Sequence, residues 1–360
     1  MSENTINTNL PFTLKDLKNA IPKQYFHGNL GLSLFYFFFD FLLVGLLSFG
    51  IYFSIENQYY YLIPLFSVLQ GSMFWSIFVI GHDCGHASFS GNSKINYFFG
   101  LISHSFILVP YHSWKRSHQK HHLYHGNLEK DESHVALTKK YYRALKFILR
   151  QQLKRRIFIR LYKLCMFFPI YLFYNDHPNH KGKIVSHFEF NDIYFRENER
   201  LKFKISILGY FFMVGIILIA TILAPLFMIF AYFIPWVLYN MTLHFVTYLH
   251  HNHEKNPWYY NSNWTYLKGA LSTTDYDYGF FGGALDFFHH NIERYHVVHH
   301  LFPSIPHYYL KEATQSIVPI LGDHYHLEKF SFNTYPRIYN NCRYVNDEKQ
   351  NEVAYYFQAN

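Results

Sequence analysis

Cysteine is scarce in this chain of 360 residues, which has three, at positions 84, 165 and 342. None belongs to a CxxC pair, so the sequence favours neither a disulfide framework nor a thiolate zinc site. Charged residues are also few, at 16% of the chain, although the net charge is +8. Lys and Arg are absent from 29–93 and from 205–253, and the second stretch also lacks Asp and Glu. Neither stretch therefore has the composition of a water-exposed surface.

Apolar sequence fills these two stretches. A helix that crosses a bilayer needs about 20 apolar residues, and each stretch is long enough for two such helices. Pro225 marks a turn within the second stretch. We therefore expect an all-α integral membrane protein, a single domain over 1–360, with four transmembrane helices in two hairpins at about 30–53, 59–81, 205–224 and 226–249.

The basic residues predict how the chain is oriented. All 32 Lys and Arg residues lie outside the apolar stretches. The positive-inside rule places segments rich in Lys and Arg in the cytosol. We therefore expect cytosolic regions at 1–29, 82–204 and 250–360.

Two further apolar segments are too short or too basic to be clear crossings. Asn96–Tyr111 is apolar but short, and Leu153–Asn175 mixes basic residues with an aromatic run. We expect both to be interfacial helices. Residues 1–28 lack the apolar core of a signal peptide and are not rich in Arg, so we expect neither a cleaved leader nor a transit peptide.

Histidine is abundant, with 25 residues, and it occurs in three boxes with helical spacing. The first box has histidines at i and i+4, and the other two have them at i, i+3 and i+4, so each box presents one helix face. Composition alone predicts the pattern H-x-x-H-H roughly 0.1 times in the chain, yet it occurs twice. All three boxes fall on the predicted cytosolic side. Their histidines are His82, His86, His118, His121, His122, His296, His299 and His300.

The number and type of these side chains indicate a metal centre. Neutral imidazoles suit Zn, Cu, Fe or Ni. A catalytic zinc ion takes about three protein ligands, so eight candidates suit a pair of metals better. A site beside an apolar bundle favours a lipid substrate. Attack on an unactivated methylene of a lipid needs an oxidant made from O₂, and iron can form such an oxidant. We therefore interpret the boxes as a cytosolic cap that holds two iron ions.

Several motifs together resemble those of membrane fatty acid desaturases, in particular the acyl-lipid Δ12 and ω-3 group. The resemblance covers nearly the whole chain, from about Pro11 to about Thr314. The motifs are Gly81 to His86 with Ser88 to Ser90, His104 to Phe106, Leu108 to His112, His118 to His122, His125-Gly126, Asp131 to Ser133, Tyr248 to His251, Pro257 to Tyr259, Asp275, Asp277 to Gly279, His296 to Pro303 and Ile305 to Tyr308.

This resemblance implies a non-haem di-iron centre, O₂ as co-substrate and two electrons from an external donor. The eight box histidines are the expected catalytic metal ligands. A ninth histidine is expected near the fourth span or before the third box, with His251 and His290 favoured over His250 and His253. His104 and His244 are expected to be structural. Residues expected to orient the ligand imidazoles are Asp83, Asp131 and Asp277.

The motifs favour ω-3 (Δ15) desaturation of an unsaturated C18 acyl lipid. His125-Gly126 and Ile305 to Tyr308 carry that preference. The sequence departs from the family pattern at two positions, with Tyr276 in place of Arg and Tyr295 in place of Thr. Neither departure removes a ligand, and we expect both to bear on substrate preference or carrier docking. No His-Pro-Gly-Gly haem motif is present. We therefore expect a separate donor, cytochrome b5 in the endoplasmic reticulum, or ferredoxin in a plastid or bacterium.

Other functions fit parts of the same pattern. A Δ12 or bifunctional Δ12/ω-3 desaturase has the same boxes. So does a hydroxylase, epoxygenase or acetylenase, because the outcome depends on where the substrate carbon lies. A histidine-rich metal transporter would need ligands within its spans, and a zinc hydrolase would not consume O₂.

Overall fold

The computed structural model describes residues 10–134, 136–143, 164–175, 178–180, 183–346 and 353–359. Helices dominate this part of the chain. Their bounds are Leu14–Ala20, Leu30–Glu56, Ile63–His86, Ser93–Phe106, Tyr111–Tyr124, Leu164–Phe173, Arg200–Leu223, Pro225–His251, Tyr266–Ala270, Gly282–Phe288, His296–Leu301, Leu310–Leu321 and Thr334–Asn341.

Four of the described helices are long and apolar enough to cross a membrane. We call Leu30–Glu56, Ile63–His86, Arg200–Leu223 and Pro225–His251 the first to fourth long helices. The second is the most buried of the four, and the first and third present most of their side chains to the outside. Outward apolar side chains such as Leu218, Ile222 and Leu223 suit hydrocarbon better than water. The predicted number of apolar crossing helices is therefore confirmed.

Short connections join the long helices in sequential pairs. The first pair is linked through Gln58, which has a left-handed backbone (φ 60°), and a short 3₁₀ turn at Tyr60–Leu62. The third helix ends at Leu223, and Pro225 begins the fourth. Proline suits this position because the first turn of a helix needs no N–H donor. The turn that the sequence predicts at Pro225 is thus present.

Polar side chains tie the long helices together. The fourth helix contains a π-helical turn at Ile229–Phe233, just before Pro235. Ser67 of the second helix donates to the Phe230 carbonyl oxygen at 2.9 Å. Gln70 donates to Ser48 Oγ of the first helix and to the Ala231 carbonyl oxygen of the fourth. These bonds satisfy backbone groups that would otherwise be unpaired in an apolar setting.

The two predicted interfacial segments have different outcomes. A 14-residue helix, Ser93–Phe106, overlaps the first of them, Asn96–Tyr111, and is too short to cross. Leu108, with φ of 60°, then turns the chain into Tyr111–Tyr124. The amino-terminal part of the second predicted segment, 153–163, lies outside the described residues, and Leu164–Phe173 is a short apolar helix.

Strands are short in the part of the chain that the structure describes. Asp275–Asp277 pairs in parallel with Leu327–Lys329, and Tyr344–Val345 pairs antiparallel with Phe357–Gln358. The first pair lies next to the third box, because Asp275 Oδ1 accepts a hydrogen bond from Val297 N at 2.8 Å. This contact joins the strand to the start of the helix His296–Leu301.

Candidate metal centre

Each histidine box lies on a helix, as its spacing predicts. The first box forms the last turn of the second long helix, which continues to His86. The second box lies on Tyr111–Tyr124, and the third occupies the helix His296–Leu301. Helical spacing of three and four residues places the imidazoles of each box side by side.

Five imidazoles from all three boxes converge in what we call the first group. Their ligand atoms all lie within 4.8 Å of one another. His122 Nε2 is 3.1 Å from His118 Nε2 and also 3.1 Å from His299 Nε2. One Nε2 offers either a proton or a lone pair, so ordinary hydrogen bonding cannot satisfy both contacts. The members of the first group are His82, His86, His118, His122 and His299.

A second group gathers around His251, at the end of the fourth long helix. Its Nε2 is 3.2 Å from His121 Nε2 and 3.4 Å from His296 Nε2. Two overlapping sets of ligand atoms within 4.8 Å, one with His121 and His125 and one with His296 and His300, share His251. The second group thus contains His121, His125, His251, His296 and His300.

These distances are those expected of ligands around a metal ion. With metal–nitrogen bonds of about 2.1 Å, two ligand nitrogens at a right angle lie about 3.0 Å apart. The nitrogen pairs described above are separated by 3.1 to 3.4 Å. His86 Nε2 and His300 Nε2 are buried and have no hydrogen-bond partner among the described residues. Both groups therefore fit a bound metal.

The protonation states also suit metal binding. Burial, followed by repulsion from neighbouring imidazoles, holds the pKa of five box histidines outside the long helices well below the usual value. Neutral imidazole is the form that binds a metal. The histidines with this shift are His118, His122, His296, His299 and His300.

Asp131 orients an imidazole of the second group. Its carboxylate accepts from His121 Nδ1 at 3.0 Å, which leaves Nε2 of that ring free to face the group. Backbone N–H groups of Ser133 and His134 donate to the same carboxylate. Burial raises the pKa of Asp131, but His121 and His125 together hold it well below its usual range. An ionised carboxylate behind a ligand imidazole fixes its tautomer and raises its basicity.

Asp83 lies behind the first group. Its Oδ2 accepts from both the backbone N and Nδ1 of His307, at 3.0 and 2.9 Å, while Oδ1 is 3.6 Å from His82 Nδ1. His307 follows the third box in sequence and is 224 positions from Asp83. This contact fastens the segment after the third box to the helix that carries the first box.

Several other candidates lie elsewhere. His290 Nε2 donates to Asp40 Oδ2 at 2.7 Å and belongs to neither group. His250 donates through Nδ1 to the Thr274 carbonyl oxygen, and His253 contacts Glu328. Asp277 lies near Arg294 and accepts from Gly279 N, so it orients no imidazole among the described residues.

The remaining candidates from the sequence contact groups outside the two sets of imidazoles. The ring of His104 stacks on that of Phe78 at 5.2 Å, and its Nε2 donates to the Phe78 carbonyl oxygen at 3.3 Å. His244 Nε2 lies 3.4 Å from the Tyr335 hydroxyl. Tyr276 is fully buried, with its ring 5.7 Å from that of His250, so it cannot contact an electron carrier directly. The Tyr295 hydroxyl donates to Asp286.

Sequence reasoning did not assign His125 or His307 a role at the centre. Both occur in motifs that carried the family resemblance, so a signal was present. Neither has box spacing, and their contacts with Ser272 and Asp83 join segments separated by 147 and 224 positions. Only the fold brings those segments together.

Similarity to known proteins extends over most of the chain. The fatty acid desaturase family model matches residues 58–332. A Nostoc protein named sn-1 acyl-lipid omega-3 desaturase (ferredoxin) is 39% identical over 342 residues, 95% of this chain and 89% of the relative. A Vigna radiata protein named omega-3 fatty acid desaturase, endoplasmic reticulum, is 42% identical over 88% of this chain and 79% of the relative. An Arabidopsis thaliana protein named acyl-lipid omega-3 desaturase (cytochrome b5), endoplasmic reticulum, is 40% identical over 89% of this chain and 80% of the relative.

Proposed function

Because this chain belongs to the fatty acid desaturase family, we propose that it is a membrane ω-3 desaturase. It inserts a cis double bond at Δ15 of an unsaturated C18 acyl lipid, using O₂ and two electrons from an external donor. The names of its relatives support the ω-3 position. The observation that carries the chemistry is the convergence of box imidazoles into two adjacent groups.

The two groups hold two non-haem iron ions. The first ion binds to the first group, and the second binds to His121, His251, His296 and His300. Bound iron supplies the activation of O₂ that removal of hydrogen from an unactivated methylene requires. Nitrogen separations of 3.1 to 3.4 Å support this assignment, and they favour His251 over His290 as the ninth ligand.

The protein itself supplies fixed geometry and a neutral, buried donor set. Asp131 holds the ring of His121, and Asp83 holds the segment after the third box through His307. Both carboxylates are buried and accept hydrogen bonds from backbone N–H groups. The imidazoles that they hold therefore need not reorganise when metal binds. The acyl chain reaches the site from the bilayer, which is the phase that the outward apolar faces of the long helices occupy.

The charge pattern supports the orientation, and the names of relatives support the location. The basic residues flank the apolar stretches, so the centre faces the cytosol. Two relatives are named for the endoplasmic reticulum, which supports a multi-pass protein of that membrane. The electron donor is cytochrome b5, which one relative's name specifies, whereas another names ferredoxin. A basic face, from a net charge of +8, suits an acidic carrier.

Product analysis in yeast tests the proposed function. Cells that express the chain are fed oleate or linoleate, and the new double bond is located by gas chromatography with mass spectrometry. We expect linoleate to gain a double bond at Δ15, and the His121→Ala variant to make no product. New linoleate from oleate would instead show Δ12 activity. A hydroxylated, epoxidised or acetylenic product would show that the chain catalyses a different reaction on the same scaffold.

A further inference from the structure

A short apolar segment precedes the third box and packs against the long helices. It consists of a 3₁₀ turn at Gly279–Phe281 and the helix Gly282–Phe288, with the sequence GFFGGALDFF. The segment lies within 250–360, the region that the basic residues predict to be cytosolic. We propose that residues 279–291 are a re-entrant segment, which enters the bilayer on the side of the metal centre, turns back within it and contacts lipid acyl chains. This proposal requires that the long helices cross the membrane, and it does not depend on the reaction at the metal centre.

Contacts with the first long helix place the segment far from the ends of that helix. His290 Nε2 donates to Asp40 Oδ2 at 2.7 Å. The rings of Phe287 and Phe39 meet edge to face, with centroids 5.6 Å apart. At about 1.5 Å per residue, Asp40 lies about 15 Å along this helix from Leu30, its first residue. The hydrocarbon core of a bilayer is about 30 Å thick, so these contacts lie at the depth of the acyl chains.

Contacts with the second long helix indicate a similar depth. His289 Nε2 is 2.6 Å from Ser72 Oγ. Ser76 Oγ donates to the carbonyl oxygen of Phe288. Ser72 lies about 21 Å along this helix from His86, the residue at its metal end. Two separate helices therefore hold the segment within the apolar part of the structure.

The chain reverses its direction directly after these contacts. His290 and Asn291 both have left-handed backbones, with φ of 59° and 60°. Asn291 N donates to the carbonyl oxygen of Asp286 at 2.9 Å, which closes the turn. The chain then reaches His296, which belongs to the second group of imidazoles. A segment that turns in this way enters and leaves the bilayer on the same side.

The polar side chains of the segment are paired within the protein. The ring of His289 contacts Ser72 through Nε2, and its Nδ1 donates to Glu293 Oε1 at 2.7 Å. The carboxylate of Asp286 accepts from Arg294 Nη1 at 2.9 Å. Non-helical backbone at membrane depth is tolerated only where the protein buries it and satisfies its polar groups. These contacts meet that condition.

The outer face of the segment is apolar and exposed. Phe280 and Phe281 are 96% and 69% exposed, and Phe287 is also exposed. This face continues the outward surface of the first long helix, because Phe287 contacts Phe39 and the ring of Phe39 stacks on that of the exposed Phe35. Such a cluster of phenylalanine side chains would be unfavourable in water. Lipid acyl chains are the partner that matches this surface.

Spin labels on the full chain in lipid nanodiscs test the proposal. Cys84 and Cys342 are buried, so Cys165→Ser removes the most accessible of the three native cysteines. Phe281→Cys or Phe287→Cys then introduces one labelling site. Power-saturation electron paramagnetic resonance measures how often each nitroxide collides with O₂, which concentrates in hydrocarbon, and with a nickel complex, which stays in water.

Two reference positions calibrate the measurement. Phe332→Cys is the matched water control, because Phe332 is 99% exposed but is flanked by the polar residues Ser331 and Asn333. Phe38→Cys is the lipid reference, because Phe38 is exposed on the first long helix. Each labelled variant should unfold at the temperature of the unlabelled chain, since all four side chains are exposed.

We expect the labels at Phe281 and Phe287 to resemble the label at Phe38. The nickel complex should collide with them about tenfold less often than with the label at Phe332, because hydrocarbon excludes a polar complex. Collision with nickel at Phe281 and Phe287 as frequent as at Phe332 would overturn the proposal. If the label at Phe38 also collided freely with nickel, the membrane crossing of the long helices would itself be wrong, and the proposal would fail with it.

Discussion

Replacement of His251 and of His290 should separate a metal ligand from a structural histidine. His251 is at the centre of the second group, with its Nε2 3.2 Å from His121 Nε2. His290 instead donates to Asp40, which lies on the first long helix and is 1% exposed. We expect His251→Ala to lose about one iron per chain and all desaturation, because an imidazole that binds the metal cannot be replaced by a methyl group.

His290→Ala should have the opposite pattern. Loss of this side chain leaves Asp40 buried without its partner, which costs about 3–5 kcal/mol of stability for a buried pair. The thermal unfolding temperature in detergent should therefore fall, while the iron content of the protein that remains folded is unchanged. The double variant Asp40→Asn/His290→Ala should recover part of the lost stability, because no unpaired buried charge remains.

The assays are iron per chain by mass spectrometry, thermal unfolding in detergent, and product formation in yeast. Equal loss of iron in His290→Ala and His251→Ala would refute the assignment, and so would a His251→Ala variant with a full iron content. A double variant less stable than His290→Ala would contradict the account of the buried pair.

Three further predictions concern the surroundings of the metal centre. Asp131→Asn should weaken binding of the second metal about tenfold to a hundredfold by chelator competition, since His121 loses its carboxylate partner, whereas Asp277→Asn should leave it unchanged. The metal-free protein should lose stability as the pH falls below about 6.5. His118 and His300 have lower pKa values when folded, so the unfolded chain takes up protons first, at about 1.4 kcal/mol per pH unit for each group. An unfolding temperature that is unchanged or higher at about pH 5.5 would contradict this. Tyr276→Phe removes the hydroxyl that donates to the Leu249 carbonyl oxygen. This change should lower the free energy of unfolding by about 0.5–1.5 kcal/mol without loss of iron. Loss of iron would show that this ring supports a ligand.

The apolar helices and the family could be predicted from the sequence because their signals are local. Long stretches without Lys or Arg predict long helices, and four such helices are present. The second long helix runs five residues beyond its predicted end at 81, since the first box continues it to His86. Membership of the desaturase family, with a resemblance closest to the ω-3 type, is confirmed by the family model and the named relatives.

Partners of the histidines could not be predicted in the same way. His251 and His290 have no spacing that distinguishes them, and only the fold gives one of them imidazole neighbours and the other a carboxylate. Asp131 and Asp277 are both acidic residues in loops, but one is fully buried behind His121 and the other is partly exposed beside Arg294. Such differences arise from contacts between distant segments, which a local pattern does not contain.

The central claim is that two groups of imidazoles each hold an iron ion. Iron per chain, measured on pure protein that still desaturates linoleate, tests it most directly. We predict about two iron atoms per chain, falling to about one in His251→Ala, in line with two separate ligand groups. A fully active protein with one iron atom or none would contradict the account.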